Sequence, residues 1–326
     1  MAETDEDLER GPGEGERWAR DTIARLAAAS LAEQRRARRW GILFKSLVLL
    51  YLFALLFAAL NVAPLVGGER RAAGPHTALV EVNGLISAST DANADRLVRG
   101  LRSAFEDPQT RGVIVRINSP GGSPVQAGLV YDEIRRLREQ HPDIPVYAVA
   151  TDLCASGGYY IAAAADRIYA NRASMVGSIG VRFGSFGFVE AMDKLGVDRR
   201  LITAGENKAM LDPFLPEDPE QVAHIKRMVD AIHEQFIEAV RRGRADRLED
   251  ADAELFSGLI WTGEQALAKG LVDDLASAGY VAREVVGAEK IVDFTPRRDL
   301  LQRFSDRVGA AVAETLRAGT LVPDWR

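Results

Sequence analysis

Beyond residue 75, short apolar runs alternate with segments whose apolar residues recur every three or four positions. The run at residues 112–117 (GVIVRI) is typical of a buried strand, and the spacing at residues 95–105 is typical of an amphipathic helix. The same criteria predict strands at 78–82, 112–117, 144–150 and 167–170. They predict helices at 95–105, 126–140, 156–165 and 218–242. Strands alternating with helices at this spacing predict βαβ units with right-handed crossovers, hence an α/β fold with a largely parallel sheet.

The first 70 residues follow a different pattern. Residues 1–16 are rich in Asp, Glu and Gly, which predicts a disordered tail, and an arginine-rich stretch follows. Residues 46–66 (SLVLLYLFALLFAALNVAPLV) are almost free of polar side chains, and as a helix they would span about 30 Å, one bilayer core. A cleaved signal peptide would have a shorter leader, and a buried core helix would not need the flanking arginines. We therefore predict an uncleaved transmembrane anchor within residues 40–66, after a cytoplasmic disordered and basic tail at 1–39.

The charges on either side of the apolar run predict its orientation. Five basic residues precede the run closely, and two follow it. Basic residues are enriched on the cytoplasmic side of membrane spans, which predicts a cytoplasmic N-terminus and an external location for everything after about residue 70. The residues concerned are Arg35, Arg36, Arg38, Arg39 and Lys45 before the run, and Arg70 and Arg71 after it.

Composition excludes several classes of protein and site. The net charge of −6 argues against a nucleic-acid binder that works by neutralising phosphates. The single cysteine excludes an intramolecular disulfide framework and a multi-cysteine metal site. The four histidines are scattered and form no metal-binding motif, so we predict neither a metal nor another cofactor.

Three glycine-rich turns follow predicted strands, and one of them contains a serine of interest. The turns are NSPGGS (118–123), ASGGY (155–159) and VGSIGV (176–181), and none of them matches a phosphate-binding loop. Ser156 stands between a predicted strand and a predicted helix, where a hydroxyl usually caps the helix. The same position also suits a nucleophile, because the amides of Gly157 and of the Gly121-Gly122 turn could bind an oxyanion.

A serine nucleophile needs a base, and the sequence offers two kinds. None of the histidines lies in a glycine-rich turn, and His224 and His233 fall within the long predicted helix as surface or packing residues. Lys208 lies in a loop after a short strand-like stretch, where local context alone predicts a solvent-facing side chain. A lysine base must be about half neutral near pH 7.5, so its pKa would have to fall by about 3 from its usual ~10.4, at a cost of about 4 kcal/mol.

In these residues the chain resembles the signal peptide peptidase A family of membrane-anchored serine proteases. The resemblance covers most of residues 76–285. It is carried by the motifs RINSPGG (116–122), ASGGYYIA (155–162), GSIGV (177–181), GENKAMLDPF (205–214) and WTGEQALAKGLVD (261–273). Each motif alone is a weak signal, but the five together in this order are specific.

The resemblance implies a Ser/Lys dyad. Ser156 would be the nucleophile and Lys208 the general base, while Ser178 would orient the lysine. Gly157 and Gly122 would supply the oxyanion amides.

The family also implies the crotonase-like fold of the Clp protease subunit, with parallel sheets and ββα units. The protease domain would span residues 76–290, and a helical tail would follow at 291–326. The protein would be a ring-shaped homo-oligomer, an eight-membered dome, in which Lys208 meets Ser156 of a neighbouring subunit. It would reside in the bacterial inner membrane, with the catalytic domain on the periplasmic or extracellular side.

The activity implied is endoproteolysis of signal peptides that have been released from preproteins. The sequence does not distinguish this activity from that of a Clp-class membrane protease, which would cleave apolar tails of partner membrane proteins. An inactive envelope scaffold would not need Ser156, Ser178 and Lys208 together, and an acyl-CoA enzyme would not need a Ser/Lys pair.

Overall fold

The computed structural model describes residues 23, 25, 26, 33–36, 38–55, 57, 74–248 and 253–296. The chain divides into two compact units, Met1–Arg70 and Arg71–Arg326. In the first unit, residues 38–55 are helical and exposed. Within the described residues, no helix combines the length and the apolarity that a membrane crossing requires. The predicted anchor lies partly outside the described residues. The predicted disordered segment 1–16 lies wholly outside them, as does the predicted C-terminal tail beyond residue 296.

Among the described residues, the second unit contains an eight-stranded sheet. Its strands are β1 (His76–Asn83), β2 (Thr110–Ser119), β3 (Val146–Ala155), β4 (Arg167–Ala170), β5 (Met175–Gly177), β6 (Ile260–Thr262), β7 (Asp274–Leu275) and β8 (Ile291–Asp293).

The helices that the structure describes in the second unit lie between these strands along the chain. The α-helices are α1 (Ala94–Glu106), α2 (Pro124–Gln140), α3 (Gly157–Ala162), α4 (Val189–Leu195), α5 (Pro219–Arg244), α6 (Gly263–Ala268) and α7 (Ala278–Tyr280). Short 3₁₀ helices occupy Ala245–Arg247 and Ala253–Phe256, and a π-helical turn occupies Val281–Val285.

The sheet is parallel except at one edge. Its main strand order is β6-β5-β3-β2-β1-β8, with β4 pairing to β3 and β7 pairing to β4. Only β6 runs antiparallel to its neighbour, β5, among the strands that the structure describes. The predicted α/β fold with a largely parallel sheet is therefore confirmed.

Side chains alternate between two buried layers because successive residues of a strand point to opposite faces. Val80, Val115 and Ala148 lie in the larger core with the helices. Leu79 and Ile114 lie on the opposite face, in a small core that includes residues of α7 and the π-helical turn. Burial on both faces explains why β2 has an unbroken apolar run, as parallel strands usually do.

The carboxyl ends of β2, β3 and β5 meet at one edge of the sheet. Ser119 pairs with Cys154, and Ala155 pairs with Gly177. All three glycine-rich turns therefore follow neighbouring strand ends, at the edge where parallel α/β sheets usually bind ligands.

Candidate active site

Ser156 occupies a strained junction between β3 and α3. Its backbone adopts φ 52° and ψ −122°, a conformation that L-residues rarely adopt outside functional sites. Its amide donates to the carbonyl of Gly177 at 2.8 Å. The side chain makes no capping hydrogen bond, unlike Ser123 at the start of α2 and Ser277 at the start of α7. Ser156 is half-buried and holds the cap position, but its hydroxyl is not used as a helix cap.

The glycine turn after β2 lies directly against Ser156. A Cβ on Gly121 would come within 2.6 Å of the Cβ of Ser156, so only glycine fits at that position. A Cβ on Gly157 would lie 3.3 Å from the amide nitrogen of Gly122, which places these two residues side by side. Gly157 is the first residue of α3, and the first amides of a helix have no partner within it. The structure thus brings together the serine and both glycines that the sequence predicts.

Ile86, which the sequence analysis missed, holds this turn in place. Its amide donates to the carbonyl of Gly121 at 2.9 Å, and its carbonyl accepts from the amide of Ser123 at 2.8 Å. Gly122, with φ 149°, passes so close to Ile86 that a Cβ there would collide with the Ile86 carbonyl. Ile86 lies outside any regular element and matches none of the sequence motifs, so no sequence signal identifies it.

The contact between Gly122 and Ile86 leads to a first prediction. Gly122→Ala is expected to displace the turn and to lower kcat/KM for a cleavable peptide by about 100-fold or more, since a shift of about 1 Å can cost that much in a catalytic site. Gly128→Ala is the matched control. Gly128 lies within α2 with open space at its Cβ position, so alanine should raise the free energy of unfolding by about 0.5–1 kcal/mol and leave activity unchanged. Peptidase kinetics and denaturant unfolding of both variants check this prediction, and near-normal activity of Gly122→Ala would contradict it.

Ser178 follows β5 as Ser156 follows β3. It also has a positive φ, 53°, and it is half-buried. Its amide donates to the carbonyl of Leu259 at 2.7 Å. Since Ala155 and Gly177 are paired across the sheet, the two serines leave neighbouring strand ends. The structure therefore places Ser178 and Ser156 at the ends of adjacent strands.

Lys208 is solvent-facing, as its local sequence context predicts. Its side chain is exposed in a turn, where its amide donates to the carbonyl of Gly205 at 3.1 Å. Within the described part of the chain, no hydrogen bond or ion pair joins the Lys208 side chain to Ser156 or Ser178. A single copy of the chain thus assembles the serines and the glycines without the lysine.

Lys208 belongs to a stretch with little burial, residues 181–218, called here the Lys208 segment. Within it, α4 contributes no buried residue. Large apolar side chains point outward instead: Ile202 is 99% exposed, Phe186 79% and Leu195 77%. Large apolar side chains left exposed along one segment are typical of interaction surfaces.

Cys154 is a poor candidate for an alternative nucleophile. Cys154 is completely buried, and burial raises the pKa of its thiol to about 12, so it is not a thiolate at neutral pH. No group of three or more His, Cys, Asp or Glu side chains in the described ranges is arranged to hold a metal ion.

Comparison with known proteins identifies the family of this site. A family model described as peptidase family S49 matches residues 138–291. Over 200 residues, the chain is 33% identical to a putative protease of a Synechocystis strain, a match that covers 61% of this chain and 69% of that protein. The chain belongs to peptidase family S49. This is the family of the signal peptide peptidase A serine proteases, as the sequence motifs predict.

Two further relatives differ in how much of their length the match covers. Over 266 residues, the chain is 29% identical to a putative signal peptide peptidase SppA of Enterococcus faecium, covering 79% of this chain and 74% of that protein. Over 210 residues, it is 45% identical to a protein named Na⁺/H⁺ antiporter NhaA of Brucella abortus, covering 64% of this chain. That match spans only 28% of the antiporter. The S49 family match contains Ser156, Ser178 and Lys208, while the Gly121-Gly122 turn lies before it.

Proposed function

We propose that this S49 protein is a membrane-bound serine endopeptidase that degrades cleaved signal peptides through a Ser156/Lys208 dyad. The observation that carries the proposal is the conformation of Ser156. Its strained backbone sets an uncapped hydroxyl at the start of α3, beside the amides of Gly157 and Gly122. This arrangement provides a nucleophile and two donors for the oxyanion in one place.

The mechanism passes through an acyl-enzyme. Neutral Lys208 Nζ takes the proton from Ser156 Oγ as the oxygen attacks the scissile carbonyl carbon. The amides of Gly157 and Gly122 stabilise the resulting oxyanion. When the intermediate collapses, the C–N bond breaks and Lys208 gives the proton to the leaving amine. A water molecule, deprotonated by Lys208, then attacks the ester carbon. As the bond to Ser156 Oγ breaks, Lys208 returns the proton to that oxygen and the acid product leaves.

We further propose that Lys208 comes from a second copy of the chain in a ring-shaped homo-oligomer, as the family resemblance suggests. Two features of the structure support this. The Lys208 side chain is exposed and not joined to the serines of its own copy. The segment around it presents apolar side chains to solvent, which docking would cover. Docking would also strip water from Lys208, which favours the neutral amine that a base requires.

The proposed location is a bacterial inner membrane, with one transmembrane anchor and a cytoplasmic N-terminus. The apolar run at residues 46–66 and the basic residues before it support this location. A signal peptide that remains after cleavage is an apolar segment within the bilayer. An anchored protease would meet such a substrate at the membrane surface.

A substrate comparison tests this function. The full chain, in lipid nanodiscs, would be assayed with a fluorogenic peptide that contains an apolar signal-peptide core. A second peptide of equal length would carry Ser and Gln in place of the core residues. We expect kcat/KM to be about 100-fold higher for the apolar peptide, since each apolar subsite contact contributes about 1–3 kcal/mol.

The other outcomes discriminate between the alternatives. Equal cleavage of both peptides would contradict an apolar substrate. Cleavage of apolar tails on a folded membrane protein, without cleavage of free signal peptides, would favour a Clp-class processing enzyme. A folded oligomer that cleaves nothing and does not react with a serine-directed fluorophosphonate would favour the scaffold.

A further inference from the structure

Helix α5 connects several parts of the proposed site. Its C-terminal half packs against α3, the helix that begins after Ser156, with the rings of Tyr160 and Phe236 4.9 Å apart. Gly243 allows a closer approach, because a Cβ there would collide with the carbonyl of Ala163. The N-terminal half of α5 is largely exposed and borders, with the Lys208 segment, a groove of about 430 Å³. This helix thus extends from the Lys208 segment to the Ser156 helix.

His233 lies between these two halves of α5 and reaches the turn that carries Ser178. Its Nε2 lies 3.1 Å from the carbonyl oxygen of Ile179, the residue after Ser178. A carbonyl oxygen only accepts hydrogen bonds, so Nε2 of His233 carries the proton and donates. The side chain is half-buried, so this bond competes less with water than a surface contact would.

The Ser178 turn is held from two sides. On one side the amide of Ser178 donates to the carbonyl of Leu259, and a Cβ on Gly177 would lie 2.8 Å from the ring of Trp261. On the other side, Nε2 of His233 donates to the carbonyl of Ile179. A non-glycine residue at φ 53° persists only where its surroundings enforce that conformation. The bond from His233 is a side-chain hydrogen bond from α5 to this turn.

We propose that His233 is a positioning residue for the peptidase reaction. By donating to the Ile179 carbonyl, it fixes the turn so that the Ser178 hydroxyl faces Ser156 and the incoming Lys208. His233 does not touch the reacting atoms, and it acts through Ser178. This inference rests on the proposed function, because it assigns His233 a part in the same reaction.

A matched pair of variants tests the proposal. His233→Met removes the donor, while His233→Gln keeps an N–H donor on a side chain of similar length. With the apolar peptide, we expect kcat of His233→Met to fall about tenfold, equivalent to about 1.4 kcal/mol in activation free energy, with KM changed less than about twofold. His233→Gln should retain at least about a third of the original kcat. Gln235→Ala, at an exposed position on the same helix, should match the parent.

A double variant separates positioning from a purely structural role. If His233 acts through Ser178, adding His233→Met to Ser178→Ala should lower kcat less than about twofold further, since coupled residues are not additive. Should His233→Met fail to fold, His233→Leu, which also has no donor, replaces it with the same expectation. An active parent whose kcat is unaffected by these variants would overturn the inference and leave the proposed function standing. An inactive parent would contradict the proposed function itself.

Discussion

Ser156→Ala is expected to lower peptide hydrolysis by at least about 10⁴-fold, because removing a covalent nucleophile removes the acyl-enzyme route. Ser156 makes no capping bond, so its hydroxyl contributes little to α3 and the variant should remain folded. The amide of residue 156 would still donate to the carbonyl of Gly177, and alanine at φ 52° is no more strained than serine. The measurements are peptidase kinetics, thermal unfolding, and intact mass after treatment with a fluorophosphonate.

A control variant and the labelling result make the Ser156 prediction specific. Ser103→Ala removes a hydroxyl from a half-buried position on α1 and should leave activity unchanged. The parent should gain one label per subunit, at Ser156, and Ser156→Ala should gain none. A folded Ser156→Ala variant that keeps more than about a tenth of the activity would show that the nucleophile lies elsewhere.

Lys208→Ala is expected to reduce activity as severely as Ser156→Ala, because the serine would lose its proton acceptor. Lys208→Arg should be equally inactive, since a guanidinium keeps the charge but is never neutral in a protein. Lys290→Ala is the control: it removes an exposed lysine that lies outside the Lys208 segment and should leave catalysis unchanged. Peptidase kinetics of the three variants check these expectations, and a fully active Lys208→Ala would contradict the dyad.

Mixing Ser156→Ala with Lys208→Ala tests which copy supplies the lysine. In a ring of heterologous contacts, each site would pair the serine of one subunit with the lysine of its neighbour. With random equal mixing, each site would have an intact serine and an intact lysine in about a quarter of cases. The mixture should therefore recover about a quarter of the parent activity. Active Ser156→Ala or Lys208→Ala oligomers are not expected before mixing. Mixed oligomers that form but stay inactive would contradict a lysine from the neighbouring subunit and place the dyad within one copy.

Hydrophobic patterning predicts the long elements well and the short ones poorly. The helix expected at residues 218–242 is α5, Pro219–Arg244, and the GVIVRI strand lies within β2. The helix expected at residues 156–165 is shorter in the structure, Gly157–Ala162, and begins one residue after Ser156. Strands β6, β7 and β8 have only two or three residues, too few for a periodic pattern, so the sheet partners alone define them.

For the candidate site, too, the sequence marks some residues and misses others. Residue type and motif make five residues candidates from the sequence alone, because chemistry restricts which groups can act: Ser156, Gly157, Gly122, Ser178 and Lys208. The sequence does not identify Ile86 or His233, which contribute a backbone clamp and a hydrogen bond to a distant carbonyl. Neither role requires a motif, since many sequences can place a carbonyl or an N–H donor at such a point.

By itself the sequence determined the α/β class, the family and the candidate chemical groups, because periodicity and local motifs encode them within a few residues. Only the tertiary structure decided that three strand ends meet at one edge and that Ser156 leaves its hydroxyl uncapped at a positive φ. It also decided that Lys208 lies exposed and not joined to that serine within one copy. These properties depend on contacts between residues tens of positions apart, and strand register and packing fix such contacts after the local pattern has been set.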